Sequence, residues 1–447
     1  MALRIRLAEI IKALSHALDL TEGQLPGHCV RCCHIGMAIG RALRLPDEKL
    51  HDLYYTLMLK DLGCSSNAAR ICELYVSDDL AFKRDFKLVN GSLPQMIRFL
   101  LTHAGAQTSL AERMRTLLSV VKHGGKNSVE LMQTRCERGA DIARQMRFSD
   151  DVANGIRDLD EHYDGGGLPM RIAGETIHVF ARIALVAQVV DVFFQVGGAE
   201  GALREIESRS GTWFDPVIVD AFVSIAYRSC FWEDLTSPDL ENIVLGTEPG
   251  RHVIMADEDY LDDIAAGFAR VVDAKSPYTS GHSERVALYT DLIAEQMQID
   301  AATRRKLRRG ALLHDIGKLG VSNSVLDKPN SLNKDEWLLM RRHPEFSFEI
   351  LSRIHAFADL AVIGGAHHER LDGKGYPQGL AADAINLETR IVSTADVFDA
   401  LTADRPYRAA MNVREALDIL WQGAGTSHDP ICIQALEDAL VKADLAA

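Results

Sequence analysis

The chain is short of aromatic residues, carries no basic excess and shows no disulfide framework, and each shortage removes a class of function. Aromatics make up 6% of its 447 residues and the net charge is −14. Neither a basic face nor interleaved stacking aromatics is therefore expected, and nucleic acid is excluded as a partner. The eight cysteines are Cys29, Cys32, Cys33, Cys64, Cys72, Cys136, Cys230 and Cys432. They crowd the first half without paired spacing, which reads as reduced thiols. Cys29-x-x-Cys32-Cys33 lies in an apolar-periodic stretch, with no second CxxC or HxxxH to complete a zinc site. No apolar run reads as long as the roughly 18 residues of a membrane span. The first twenty residues are amphipathic rather than signal-like. A cytoplasmic protein without a membrane partner is the expectation.

What is present is an ordinary globular composition, 47% hydrophobic and 25% charged, at a length that suits two domains. Apolar residues recur at three and four, as in Ile264, Phe268, Val271 and Val272, and strand-like alternation is scarce. The expected fold is all-α. The basic run Arg304-Arg305-Lys306-Leu307-Arg308-Arg309 reads as a solvated helix face.

One long pattern runs twice. Its second copy reads Gly281-His282, Leu313-His314-Asp315-Ile316-Gly317-Lys318, His343, His367-His368-Glu369 and Asp372-Gly373-Lys374-Gly375-Tyr376-Pro377. The first reads Gly27-His28, Leu59-Lys60-Asp61-Leu62-Gly63-Cys64, Cys136, Leu159-Asp160-Glu161 and Asp164-Gly165-Gly166-Gly167-Leu168-Pro169. The separation between copies is 254 at Asp61 and Asp315 but 208 at Asp164 and Asp372, so the first copy holds extra sequence, placed at about 67–132. Pro238, Gly246, Pro249 and Gly250 mark a joint. The chain divides into a first domain over 1–235, a linker over 236–256 and a second domain over 257–447.

Only the second copy keeps a ligand set. His282, His314, Asp315, His343, His367, His368 and Asp396 are five imidazoles and two carboxylates, a donor mix that suits Fe, Mn, Zn or Ni better than Ca or Mg. Seven donors exceed what one metal ion takes and suit two ions sharing a carboxylate, a centre that polarises a phosphoryl oxygen and generates hydroxide. Lys318 follows Asp315 by one turn and is expected to neutralise charge on a phosphate; Asp399 is expected to orient or deprotonate the water. In the first copy Lys60 stands at the His314 position, Cys136 at that of His343, and Gln188 at that of Asp396. Lys60 is expected to act as a built-in cation beside Asp61 or Asp160.

From Pro277-Tyr278-Thr279-Ser280-Gly281-His282 to Asp404-Arg405-Pro406-Tyr407-Arg408 the second copy resembles the HD-GYP domains. These are all-helical members of the HD phosphohydrolase superfamily that hydrolyse cyclic dinucleotides. The resemblance implies tandem HD-like helical domains, the first degenerate and the second catalytic. It implies a phosphodiesterase acting on cyclic di-GMP, with 3′,3′-cyclic GMP-AMP or a silent sensor as alternatives. It makes the seven residues metal ligands, with Asp315 bridging two divalent transition-metal ions. Lys318 and Arg405 would meet the scissile phosphate, Arg408 would hold the nucleotide, Asp399 would serve the metal shell and Tyr376 would shape the pocket. Tyr278 stands where some members carry a third-metal glutamate, which favours two ions. A homodimer or a signalling partner docking through the first domain completes the expectation.

Overall fold

The computed structural model describes residues 5–106, 108–250, 253–404 and 408–442. They form helices joined by short turns, with one two-stranded antiparallel pair, Ile5–Arg6 against Met255–Ala256. The chain divides into two compact units, Met1–Tyr260 and Leu261–Ala447.

In the second unit the helices His282–Gln296, Ala301–Leu313, Ala358–Ala366 and Leu387–Thr402 carry most of the ligand-type residues or end beside them. Asp300 starts one of these helices by accepting from the Ala302 and Thr303 amides at 3.0 and 3.1 Å, a cap that contributes about 1 kcal/mol. The i, i+3, i+4 apolar residues meet in one core, with Val286, Ile293, Leu307, Ile391, Phe398 and Leu436 buried. Each large side chain so buried stabilises the fold by about 1.5–3 kcal/mol. The basic run is paired away, Arg304 with Asp291 and Arg305 and Arg309 with Asp262.

The first unit repeats this frame with the helices His28–Ala42, Asp47–Leu59 and Val179–Ser208. Its extra sequence folds as the helices Ala68–Tyr75, Asp79–Phe86 and Leu93–His103 and the first part of Leu110–Gln145. They enclose a small aromatic core of their own around Tyr75, Phe82 and Phe99.

Two sequence expectations differ from the structure. The stretch expected as a linker forms the helix Leu240–Leu245 and then the strand Met255–Ala256, because Leu240, Val244 and Glu248 are buried. Glu248 accepts from the Tyr55 hydroxyl at 2.6 Å and pairs with Arg6. Second, the helix Val179–Ser208 is long and apolar enough by composition to cross a membrane, but 67% of its apolar window is buried inside the fold. Its backbone leaves helical geometry at Gly198. It is a core helix whose length the sequence pattern alone did not reveal.

Candidate metal centre

The second unit's site starts at a helix N-terminus. Gly281 adopts φ +69°, a conformation that suits glycine, and turns the chain so that His282 begins its helix pointing inward. Asp273 accepts from the Ser283 amide and hydroxyl at that helix start. The helix Ala301–Leu313 ends at His314, and the chain passes into a 3-10 turn, Ile316–Gly320. Lys318 therefore stands on that turn rather than on a continuing α-helix, and it reaches back three residues to pair with Asp315.

Four imidazoles are aimed by the hydrogen bond each makes through Nδ1. His282 donates to Asp399 at 2.7 Å, His314 to the Ala311 carbonyl at 2.6 Å, His343 to that of Met340 at 2.7 Å and His367 to that of Gly364 at 2.9 Å. A proton fixed on Nδ1 leaves Nε2 as the inward lone pair, the arrangement metal-binding histidines use.

Asp315 lies in the middle. Its Oδ2 is 3.5 Å from His282 Nε2 and 3.3 Å from His314 Nε2, while Oδ1 is 3.4 Å from His343 Nε2 and 3.5 Å from His367 Nε2. Asp396 adds an oxygen 3.4 Å from His282 Nε2 and 3.7 Å from His314 Nε2. His368 closes the other side, within ligand-set distance of His343 and His367. The donors thus fall into two groups, one on each oxygen of Asp315.

Burial and charge make this arrangement one that added cations would stabilise. Burial would raise the Asp315 carboxyl, but Lys318 and the imidazoles hold it well below its ordinary range. Burial would lower His314, yet Asp315 and Asp396 push it up to about 9. His343 goes the other way, pushed down to about 3 by burial, which with Lys318 and His367 outweighs the opposing pull of Asp315. His282 Nε2, His314 Nε2 and Asp315 Oδ1 are buried with no hydrogen-bond partner. Orphaned buried polar atoms are costly, and here they converge. The residues present fit divalent transition-metal ions.

All seven expected ligands meet in this cluster. Asp399 is buried beneath it, with Oδ2 on His282 and Oδ1 accepting from Arg285 Nε at 2.6 Å. Both oxygens are engaged and the carboxylate is buried, so Asp399 bears on the site through His282. Arg285 was missed in the sequence, although Gly-His-x-x-Arg stands in both copies. Tyr376 lies over His368, ring centroids 4.8 Å apart. Glu369 fixes the loop between them by accepting from the Gln378, Gly379 and Leu380 amides at 2.7, 3.1 and 2.9 Å. Arg408 donates to the Leu401 and Ala400 carbonyls at the end of a helix, which ties its guanidinium to the backbone. Arg405 lies outside the described residues.

The corresponding place in the first unit is filled by cations. Lys60 is fully buried, pairs with Asp61, and donates to His28 Nε2 at 3.1 Å and Gln188 at 3.4 Å. Arg135, not Cys136, takes the His343 position. A Cβ on Gly317 would strike the His343 carbonyl, and one on Gly63 would strike that of Arg135. Arg135 pairs with Asp160 at 3.0 Å and Asp61 at 3.4 Å. Lys87, from the extra sequence, joins Glu22 at 2.8 Å and Gln188 at 3.2 Å. Burial first and Lys60 second push His28 down to about 4. Two groups of ligand-type side chains do occur here, His28 with Cys32 and Asp191, and Glu22 with Asp61 and Cys64. Burial raises the Cys32 and Cys64 thiols, and every carboxylate in the two groups already faces a lysine or arginine. These donors do not fit a metal ion.

Comparison with known proteins agrees with this geometry. The HD domain family model matches residues 117–218 and 268–431. The chain is 52% identical to the 3′3′-cGAMP-specific phosphodiesterase 3 of Vibrio cholerae serotype O1, over 97% of this chain and 94% of that protein. It is 43% identical to the cyclic di-GMP phosphodiesterase response regulator RpfG of Xanthomonas campestris pv. campestris, over 38% of this chain and 45% of that one. The crystal structure of V-cGAP3, a cyclic GMP-AMP specific phosphodiesterase of V. cholerae, superposes with a TM-score of 0.67 at 46% identity, covering 98% of each chain.

Proposed function

The chain belongs to the HD-domain family as a cyclic dinucleotide phosphodiesterase of the HD-GYP type, and from that premise we propose that its second unit hydrolyses 3′,3′-cyclic GMP-AMP on a binuclear metal centre. The observation that carries the two-metal reading is the central Asp315, whose two oxygens each face a separate set of imidazoles. His282, His314 and Asp396 would hold one ion, His343, His367 and His368 the other, with Asp315 between them. Such ions supply a hydroxide near neutral pH and a Lewis acid at the phosphoryl oxygen.

The chain's own side chains do the positioning. Lys318, whose side chain is 19% exposed, reaches from Asp315 toward solvent and offers a cation to a phosphate arriving there. Asp399 and Arg285 keep the His282 ring oriented. Tyr376 walls the cluster on the His368 side. The resemblance assigns Arg405 to the scissile phosphate and Arg408 to holding the nucleotide.

Family frequency alone favours cyclic di-GMP, and the relatives named for it support that as a second reading over about two fifths of the chain. The relative matched over nearly its whole length is named for cyclic GMP-AMP, which moves the proposal to the hybrid dinucleotide. In the first unit, we propose a metal-free scaffold whose charge is balanced by Lys60, Lys87 and Arg135.

The test is to incubate the Mn- or Fe-loaded protein with each cyclic dinucleotide and resolve the products by chromatography. Faster conversion of cyclic GMP-AMP to linear dinucleotide or mononucleotides is expected. Faster conversion of cyclic di-GMP would favour the second reading, and no product from either would end both.

A further inference from the structure

Resting on the reading of the second unit as a cyclic dinucleotide phosphodiesterase, we infer that Arg341 is a substrate-binding residue that holds the non-reacting phosphate at the mouth of the metal cluster. His282, His314, Asp315, His343 and His367 are buried, whereas His368, Tyr376 and Lys318 are only half-buried. The cluster therefore opens where His368 and Tyr376 stand.

Arg341 sits at that opening. Its guanidinium lies 5.2 Å from the Tyr376 ring centroid and 5.7 Å from that of Trp337. A column of planar groups thus runs from solvent inward through Trp337, Arg341 and Tyr376 to His368, the last pair 4.8 Å apart. The backbone beneath Arg341 is well fixed. The helix Lys334–Met340 begins with a reciprocal Asn333–Glu336 capping box, and the Arg341 amide closes it on the Trp337 carbonyl at 3.0 Å.

The charge of Arg341 is unspent. Arg370 and Arg390 are paired with Asp372 and Asp429, and Arg285 with Asp399. Arg341 is exposed and forms no ion pair with a carboxylate among the described residues. A guanidinium stacked on an aromatic face keeps its edge donors free, in a fork that matches a phosphate. Trp337, 45% exposed, offers a face on which a purine can stack.

Substrate chemistry supplies the need. A cyclic dinucleotide carries two phosphates, and the metal cluster with Lys318 can serve only the one that reacts. The other must be neutralised by a protein whose net charge is −14. Arg341 is a cation over the Tyr376 ring at the opening, with no carboxylate partner among the described residues.

The experiment compares the metal-loaded full chain with Arg341→Ala and Arg341→Lys on two substrates. One is 3′,3′-cyclic GMP-AMP; the other is bis(p-nitrophenyl) phosphate, a diester with a single phosphate. Loss of one charge-assisted contact should raise KM for the cyclic dinucleotide about tenfold in Arg341→Ala, with kcat within about twofold. Arg341→Lys should recover part of that loss, and the single-phosphate diester should show no matching rise. An unchanged KM for the cyclic dinucleotide would overturn the inference. So would an equal loss on both substrates, which would assign Arg341 to propping Tyr376. If the unaltered protein cleaves the simple diester but no cyclic dinucleotide, the parent reading fails and takes this one with it.

Discussion

The two units hold the same frame around opposite electrostatics. In both, a glycine with positive φ starts a helix at a histidine, and that histidine donates Nδ1 to an aspartate shared with the arginine three residues on. Asp191, His28 and Arg31 form this triad in the first unit; Asp399, His282 and Arg285 form it in the second. What differs is the far side of the ring. His28 Nε2 accepts from the Lys60 ammonium, whereas His282 Nε2 is buried without a hydrogen bond, facing the Asp315 and Asp396 carboxylates. The His-Asp-Arg triad is kept in both copies, as are His28/His282 and Asp61/Asp315, whereas His314 and Asp396 are replaced by Lys60 and Gln188 in the first copy. Asp399 makes the same contacts as Asp191 in the copy without a ligand set, which fits a role in orienting the histidine.

The sharpest way to break this contrast is to remove the central carboxylate from each unit. Asp315→Ala should cost about a thousandfold or more in kcat, because donors on both sides lose the carboxylate between them. Circular dichroism should show the helical content unchanged. Asp61→Ala should instead strand Lys60 as a buried charge, leaving Arg135 only Asp160, and destabilise the first unit by about 3–5 kcal/mol. Denaturant unfolding of the full chain reads that loss. Comparable loss of turnover with no loss of stability in Asp61→Ala would mean that the first site takes part in chemistry.

Next in size is the support beneath the histidines. Asp399→Asn should weaken metal binding about 10–100-fold by loosening the His282 ring, with activity returning as metal is added. Metal titration followed by elemental analysis measures it. Asp191→Asn, the same change in the first unit, should leave metal stoichiometry where it was. A drop there would place a metal ion in the first unit and erase the distinction.

Most of the second site was legible because its residues are chemically conspicuous and sit at fixed intervals from glycines and prolines that repeat. The helical fold was legible from apolar spacing for a similar reason, since one buried face forces the three-four pattern. The failures come from places where the signal lies in space. Cys136 stood at the expected position of His343, yet the Arg135 carbonyl lies against Gly63 as the His343 carbonyl lies against Gly317, so Arg135 occupies it. One residue of slip within a helix was enough, because the extra sequence left no landmark nearby. Lys87 enters the first site from that extra sequence, which has no counterpart to align with. The linker reading failed because prolines and glycines signal turns without saying whether Leu240, Val244 and Glu248 between them are buried.

The smallest expected effect tests whether His28 is held neutral by its cations, and its sign follows from the direction of the shift. His28 is pushed down to about 4 in the folded protein by burial and by Lys60, against about 6.5 in an unfolded chain. As pH falls through 6.5 the unfolded chain takes up a proton that the folded His28 refuses, so this group's contribution to stability is lost on acidification. Between pH 6.5 and 5.5 the loss is about 1 kcal/mol. Asp191, Arg31, Lys60, Asp61 and Lys87 also face this ring or its neighbours. Asp19, pushed up to about 6 chiefly by burial at the same helix start, acts in the opposite sense, because its folded carboxyl gains a proton over the same interval. The total pH profile therefore mixes the two, and the difference between the wild type and His28→Asn isolates the histidine. The stability advantage of the wild type over the variant should shrink by about 1 kcal/mol from pH 6.5 to 5.5, read by thermal unfolding at each pH. A difference that stays constant would mean that His28 titrates normally and that Lys60 does not hold it.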